Sequence, residues 1–475
     1  MTVPRLRSAA LATVVLVAAG SVVVAPTAAG AAPGAPGAPR YSAGAASAGD
    51  PYFPDQGNGG YDVQHYDLTF SYDPATRFMD ATATITAVAT QDLDRFNLDF
   101  RGPEVSAVTV DGHAHGFSRH GQELVVTPRP KLKTGHRFTV VVKYAGVPGP
   151  VTDPDGSIEG WVPTDDGAFV VGEPQGTPAW LPTNDHPTDK ATFRFTATVP
   201  AGLTAVGNGQ LLSQKTRNGW TTFVWDSTEP MATYLATITI GTFVVTESTT
   251  SGGIPVYVAT DPRQVSGSAA AVAQIPRMID FFSTLFGPYP FASTGAIIDR
   301  APEVGYALET QTKPIFSSTA SVGTMAHELA HQWYGDSVSP ERWSDIWLNE
   351  GFATYAQWMY TEYNGGASVS QTFNSSSNYG RAASSPFWQI VLADPGPEEM
   401  FSNIPYNRGA MTLHALRGKV GDDTFFRILR GWAASHRYHH AGTADFIALA
   451  ERESGRDLTA FFDVWLFQKG KPTTW

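Results

Sequence analysis

Five consecutive residues, His327-Glu328-Leu329-Ala330-His331, combine two imidazoles and a carboxylate. On an α-helix the two histidines lie one turn apart on one face, so both rings can bind the same metal ion. Glu328 then points beside that ion, where its carboxylate can take a proton from a metal-activated water. The spacing therefore predicts a metal site that generates a nucleophile able to attack a carbonyl group.

Glu350 is the candidate third ligand, and eighteen residues, 332–349, separate it from His331. Two histidines and one glutamate leave one coordination position open, as in catalytic zinc sites. The alternatives are a structural zinc site, which is usually closed and cysteine-rich, and two ordinary core histidines. The chain has no cysteine, and a glutamate between two core histidines would be a costly buried charge. We predict one catalytic Zn²⁺ per chain, with Asn349 and Asp345 either orienting the imidazoles or capping a helix.

These residues resemble the aminopeptidase N-like zinc metallopeptidases of the gluzincin clan. Residues 305–310 are similar to the Gly-x-Met-Glu-Asn segment of that family, with Leu308 for methionine and Thr310 for asparagine. The resemblance implies that Glu309 holds the free α-amino group of a substrate, with Ala307 lining the same binding site. An ammonium pairs strongly with a buried carboxylate, and such a pair would restrict cleavage to the first peptide bond.

Two more segments carry the resemblance. Glu173 lies nine residues before Pro182, a spacing similar to that of the second amine anchor of the family; the alternative is a solvated loop glutamate beside Pro174. Residues 406–410 resemble the Tyr-x-Lys-Gly-Ala segment of the family. The resemblance implies that the Tyr406 hydroxyl stabilises the oxyanion of the tetrahedral intermediate, and the alternative is an ordinary packed tyrosine.

The elements that must position these residues change in type near residue 250. Before it, alternating apolar segments and Asx-Gly turns predict antiparallel strands, for example over 83–88, 123–126 and 138–142. After it, apolar periodicity predicts helices over 269–286, 346–360 and 422–435. The predicted fold is multidomain α+β, with an N-terminal antiparallel β-sandwich-like domain over 56–250. The resemblance implies a mainly α, thermolysin-like zinc-peptidase domain over 251–475, without the helical C-terminal domain that many members add.

The N-terminus has the pattern of a secretory signal peptide over residues 1–31. Arg5 and Arg7 precede an apolar run over 9–25, and small residues at 29–31 form a cleavage site. The alternative is a membrane anchor, but the apolar run is short and alanine-rich. Residues 32–55 are rich in Ala, Gly, Pro and Ser, which predicts a flexible linker or propeptide. We therefore expect a secreted, extracellular protein.

The net charge of −12 argues against nucleic acid or an anionic membrane surface as a partner. The expected partners are peptides or proteins with a free N-terminus, without stable membrane association, and the oligomeric state stays open. The leading interpretation is a secreted zinc aminopeptidase. Two alternatives remain, namely a secreted zinc endopeptidase and a catalytically silent binding module.

Overall fold

The computed structural model of the protein describes residues 41–475, and the predicted signal peptide and residues 32–40 lie outside that range. Residues 41–241, the β part, are built from strands. In chain order these are β1 (Ser42–Ala43), β2 (Tyr61–Asp73), β3 (Phe78–Ala89), β4 (Leu93–Asp99), β5 (Glu104–Val110), β6 (His113–His115), β7 (Phe117–His120), β8 (Glu123–Val126), β9 (Arg137–Gly146), β10 (Pro150–Thr152), β11 (Ile158–Pro163), β12 (Ala168–Val171), β13 (Ala191–Pro200), β14 (Thr204–Gly207), β15 (Gln210–Arg217), β16 (Trp220–Met231) and β17 (Ile238–Gly241).

An eight-stranded sheet in the order β15-β16-β13-β2-β3-β9-β5-β6 packs against a five-stranded sheet in the order β10-β11-β12-β17-β14. Alternate residues of β3 and β13 are buried, as expected for strands with one face on the core. Phe70 and Tyr72 of β2 meet Trp161 of β11 at ring distances of 5.9 and 5.0 Å, which joins the two sheets. The β-sandwich-like prediction is therefore confirmed.

Two strand pairings of the β part differ from the antiparallel prediction, and one of them is the short strand β1 beside β4. Strand β13 runs parallel to β2, with Thr192 opposite His65 and Thr198 opposite Ser71. A parallel neighbour needs a long connection, and the chain between β2 and β13 passes through β3–β12 before it returns. The period-2 pattern of each strand is the same in both orientations, so it carries no information on strand direction.

Residues 244–475, the helical part, begin with a mixed sheet in the order β18-β19-β20-β22-β21. Its strands and the later pair β23-β24 are β18 (Val244–Thr249), β19 (Pro255–Thr260), β20 (Thr294–Ile298), β21 (Ala307–Leu308), β22 (Ile315–Phe316), β23 (Val338–Pro340) and β24 (His439–Ala441). The α-helices are α1 (Val265–Val272), α2 (Ile275–Phe286), α3 (Val322–Ala330), α4 (Trp347–Tyr363), α5 (Val369–Phe373), α6 (Gly409–Val420), α7 (Asp422–Ser435), α8 (Thr443–Ser454) and α9 (Thr459–Phe462). Within residues 41–475, no helix has the length and apolar character needed to cross a membrane.

The predicted helices are found, with differences at their ends. Helix α7 has the predicted bounds, and α4 extends three residues beyond the predicted end at Tyr360. The single helix predicted over 269–286 is two helices, α1 and α2. Pro276 lies in the first turn of α2, where its missing N–H and its ring prevent α1 from continuing through this point.

The prediction of a flexible segment over 32–55 is wrong for residues 41–55. Asp50 is 2% exposed, and its carboxylate accepts a hydrogen bond from the Trp343 backbone N–H at 2.9 Å. Tyr52 donates its hydroxyl to Asp394 at 2.6 Å. These two contacts are with the helical part, and β1 pairs with β4 in the β part. The composition of the segment offers few side chains to a core, but the polar groups of this segment find partners on neighbouring loops.

Candidate active site

Helix α3 carries the first three predicted site residues. Ser321 caps its N-terminus, because the Ser321 hydroxyl accepts the Thr324 backbone N–H at 3.0 Å. The helix ends at Ala330, so His327 and Glu328 lie in its last turn and His331 is the residue that follows. The backbone of His331 is still helical, and the two imidazoles therefore remain on one face.

The three predicted metal ligands converge on one point. His327 Nε2 lies 3.1 Å from His331 Nε2 and 3.1 Å from Glu350 Oε2, and His331 Nε2 lies 3.5 Å from the same oxygen. Glu350 reaches this point from the first turn of α4. All three side chains are buried, and two imidazoles with one carboxylate are the donor set that suits zinc with one open position.

The orientation of His331 is set by a backbone group. Its Nδ1–H donates to the Tyr334 carbonyl at 3.0 Å, which leaves the Nε2 lone pair directed at the metal position. Asn349 instead donates to the Tyr234 hydroxyl at 3.3 Å, and Asp345 accepts from the Thr443 backbone N–H at 3.0 Å. The expectation that these two residues orient the imidazoles is not met. The helix-capping alternative holds for Asp345, because its carboxylate contacts Thr443, the first residue of α8.

Glu328 lies beside the metal position rather than in it. One oxygen of its carboxylate falls within 4.8 Å of ligand atoms of Glu309 and His331. Burial raises the pKa of Glu328 well above its usual value, and the nearby His331 opposes that rise. A divalent cation at the three donors would also oppose that rise and favour the ionised carboxylate. A general base must be in this ionised form.

Glu173 and Glu309 approach the site from different parts of the molecule. Glu173 follows β12 in the β part, and Glu309 follows β21 in the helical part. Ligand oxygens of these two residues and of Glu350 lie within 4.8 Å of one another. The Oε1 atoms of Glu173 and Glu309 are buried and have no hydrogen-bond partner among the residues that the structure describes. Burial raises the pKa of both carboxyl groups, and each also feels the negative charge of Glu350. Two such oxygens suit a ligand that carries an ammonium group.

Tyr406 is presented by a π-helical turn, Ile404–Arg408, immediately before α6. Its ring stacks on His327 with a centroid distance of 5.6 Å and an interplanar angle of 11°. Burial raises the pKa of the Tyr406 phenol well above its usual value, and Glu350 adds to the rise. The phenol is therefore neutral near pH 7 and is a hydrogen-bond donor.

A close backbone contact places this turn beside the metal ligands. A Cβ atom on Gly351 would lie 2.7 Å from the Cα of Gly409, and the reverse substitution meets the same obstacle. Real Cβ atoms do not approach that closely, so α4 and α6 cross at a point where only glycine fits on both sides. Glu350 and the Tyr406 turn are thereby held next to each other.

All eight predicted site residues line one cleft of about 500 Å³. The cleft is also lined by residues that the sequence did not single out, including Asp155, Tyr306, Trp358 and Phe401. Helix periodicity offered a signal for Trp358, which lies eight residues after Glu350 on the same face of α4. No comparable local pattern marks the other three, which come from loops. Of the part of the chain that the structure describes, no lysine or arginine lines the cleft.

Comparison with known proteins agrees with this geometry. Residues 62–235 match the family model "Peptidase M1 N-terminal domain", and residues 295–465 match "Peptidase family M1 domain". The structure of the M1 zinc metallopeptidase from Deinococcus radiodurans is 30% identical, with a TM-score of 0.82 over 90% of this chain and 98% of that one. The chain belongs to peptidase family M1. A Tyr-Ser-Ala substrate is bound in a structure of a variant of the Deinococcus enzyme, which is 31% identical to this M1 chain.

Other relatives of this M1 chain are longer. Aminopeptidase M1 from Arabidopsis thaliana is 30% identical over 321 residues, which are 63% of this chain and 36% of the relative. Leucyl aminopeptidase from Saccharolobus solfataricus is 29% identical over 321 residues, which are 62% of this chain and 40% of the relative. The chain thus spans well under half the length of these two relatives.

Proposed function

We propose that this chain is a secreted zinc aminopeptidase that removes the first residue of peptides. The supporting observation is a pair of buried carboxylate oxygens, one on Glu173 and one on Glu309, that find no hydrogen-bond partner within residues 41–475 and lie beside the donor set of His327, His331 and Glu350. A cleft that only bound metal and attacked internal bonds would gain nothing from two such costly groups.

The α-ammonium of the substrate occupies the space between Glu173 and Glu309. Charge-assisted hydrogen bonds to both carboxylates fix the position of the first residue. Since the metal ligands lie next to these anchors, the first peptide bond is the one brought to the reacting position. An internal bond would place a neutral backbone against two buried charges, which is unfavourable.

The chemistry then divides among the remaining residues. His327, His331 and Glu350 would hold Zn²⁺, which would supply polarisation of the scissile carbonyl and acidification of the attacking water. Glu328 takes the proton from that water and delivers it to the leaving amine. Tyr406 donates its hydroxyl to the oxyanion, an interaction made mainly in the transition state.

Matched peptides with free and acetylated N-termini test this proposal. Purified protein should release the first residue from the free peptides only, and a chelator should stop the release. Zinc should restore it, with mass spectrometry identifying the bond that breaks. Internal cleavage of acetylated peptides would favour the endopeptidase, and binding without cleavage of either peptide would favour the silent binding module.

Secretion is a separate part of the proposal. It is supported by Arg5, Arg7 and the apolar run over 9–25, which have the composition of a signal peptide. Expression of the full chain in a secreting host should place the protein in the medium, with a mature N-terminus near residue 32. Intact protein retained in the membrane fraction would favour the anchor instead.

A further inference from the structure

Arg408 is a fully buried cation, with 0% of its surface exposed. Within residues 41–475, no carboxylate lies within 4 Å of its guanidinium. The guanidinium binds carbonyl groups instead, since it donates to Ile390 at 2.8 Å, to Gln468 at 2.8 Å and to Val464 at 3.4 Å. Burial of a charge without an ionic partner is costly. An apolar side chain would avoid that cost, but it could not bind these three carbonyl groups and hold the backbone in place.

The carbonyls come from two segments that are themselves joined. Ile390 follows the 3₁₀ turn Pro386–Gln389, and Val464 lies in the π-helical turn Asp463–Phe467. The Ala393 backbone N–H donates to Leu466 at 3.0 Å, which connects these segments directly. The five-donor fork of arginine can bind several carbonyls at once, and Arg408 therefore fastens its own turn to both segments.

That turn is the one that presents Tyr406. Arg408 is the last residue of the π-helical turn Ile404–Arg408, two positions after Tyr406. On the other side of Arg408, the backbone of Gly409 abuts Gly351. A π-helical turn is an unusual conformation that needs support from its surroundings. The Arg408 side chain and the Gly409 contact both supply that support.

We propose that Arg408 is the positioning residue for the Tyr406 hydroxyl. Through Arg408, the segment Asp463–Phe467 and the turn Pro386–Gln389 determine where the oxyanion donor lies relative to His327. This inference rests on the proposed function, because it assigns a partner to the oxyanion role of Tyr406. It goes further in making distant backbone segments part of the catalytic geometry.

A double-mutant cycle tests the inference, using zinc-loaded full-length protein and a free-amine peptide. Arg408→Lys keeps a cation but loses the fork, and Arg408→Met removes the cation at similar volume. We expect kcat to fall by about 10-fold or more in both variants, with KM changed less than about two-fold. In a Tyr406→Phe background the same two substitutions should cause no further loss of kcat.

Arg417→Lys is the matched control, because Arg417 lies on α6 but pairs with Asp422 near the surface. Its kcat should equal that of the wild type. Equal losses from Arg408→Lys with and without Tyr406, or no loss in either background, would overturn the inference. If Arg408→Met does not fold, Arg408→Lys carries the test, with thermal unfolding and zinc content as checks. If Tyr406→Phe itself leaves kcat unchanged while the wild type cleaves, the oxyanion role fails, and this inference with it.

Discussion

The two walls of the cleft are assembled in different ways. The metal wall comes from α3 and the first turn of α4, which are close in the chain; helix periodicity pairs His327 with His331, and the packing of α4 beside α3 adds Glu350. The anchor wall joins Glu173 and Glu309, which follow strands in different parts of the molecule. The metal geometry is thus encoded locally, whereas the substrate register depends on how two parts of the protein pack.

Substitution of the general base Glu328 should cause the largest loss of activity and should leave metal binding intact. Glu328→Gln keeps the shape of the side chain but removes proton transfer, so we expect kcat to fall by about 10³-fold. Because Glu328 is not a metal ligand, zinc content by elemental analysis should stay at the wild-type value. Glu362→Gln, an exposed change on α4, is the control. Loss of zinc together with activity would mean that the metal wall depends on more than its three ligands.

The local character of the metal wall explains why the sequence predicts it. The spacing of His327 and His331 and the later Glu350 are sufficient, because helical repeat and a short connection determine the distances. Helix α7 is predicted to its ends for the same reason. Periodicity reports which face of an element is buried, and the packing of α3 against α4 follows from it.

The features that the sequence misses all depend on contacts between distant segments. Residues 41–55 look like a linker, yet Asp50 finds its partner at Trp343. Tyr306 enters the cleft from a loop held by the donation of its hydroxyl to the Ile158 carbonyl at 3.0 Å. Glu173 is a candidate only through the family resemblance, because no local pattern distinguishes it from a loop glutamate. Such contacts leave no periodic signal in the chain.

The anchor wall should govern recognition of the free N-terminus. Glu309→Gln and Glu173→Gln each remove one charge-assisted hydrogen bond to the ammonium, worth about 1.5–3 kcal/mol. We expect kcat/KM for a free-amine peptide to fall by about 10- to 100-fold in each variant. Zinc content should not change, since neither residue belongs to the predicted ligand set.

The ratio of rates on free and acetylated peptides is the sharper measurement of the same effect. The preference for the free peptide, given by this ratio, should fall in both variants. It should stay unchanged in Glu104→Gln, an exposed control on β5. If only Glu309→Gln lowers the ratio, then Glu173 takes no part in amine binding. The anchor wall would then belong to the helical part alone. The substrate register would not depend on how the two parts of the protein pack.

The charge of the first residue offers a smaller effect. Asp155, Glu173 and Glu309 line the cleft, and no lysine or arginine of residues 41–475 joins them there. Repulsion of one added carboxylate amounts to roughly 1–4 kcal/mol at contact distance near a protein surface. Peptides that begin with Glu should therefore be cleaved about 10-fold more slowly than peptides that begin with Gln.

Added salt should reduce this difference, because it screens the exposed Asp155 more than the buried pair. Asp155→Asn should also reduce it, whereas Asp80→Asn, an exposed change on β3, should leave it unchanged. Equal kcat/KM values for the two peptides at low salt would show that the acidic lining does not act on the first side chain.

The last effect is on stability and concerns how the anchor wall is held to the β part. Lys313 follows Glu309 in a turn where the Lys313 backbone N–H donates to Thr310 at 3.0 Å. Its side chain is fully buried and donates to the Gly209 carbonyl at 2.8 Å. Burial lowers the pKa of Lys313 to about 7. This contact therefore joins the two parts through a group that titrates near neutral pH.

The sign of the resulting pH dependence follows from the two end states. Unfolded lysine has a pKa of about 10.4, so between pH 7 and that value the unfolded chain binds more protons at Lys313 than the folded chain does. Stability must rise with pH in this window, by up to about 1.4 kcal/mol per unit. Lys313→Met removes this dependence, and exposed Lys215→Met does not. Denaturant unfolding from pH 7 to 9 should therefore show that the free energy of unfolding rises more with pH in the wild type than in Lys313→Met. An equal pH dependence in the two proteins would mean that Lys313 stays charged in the fold. The anchor wall would then be joined to the β part by an ion rather than by a neutral amine.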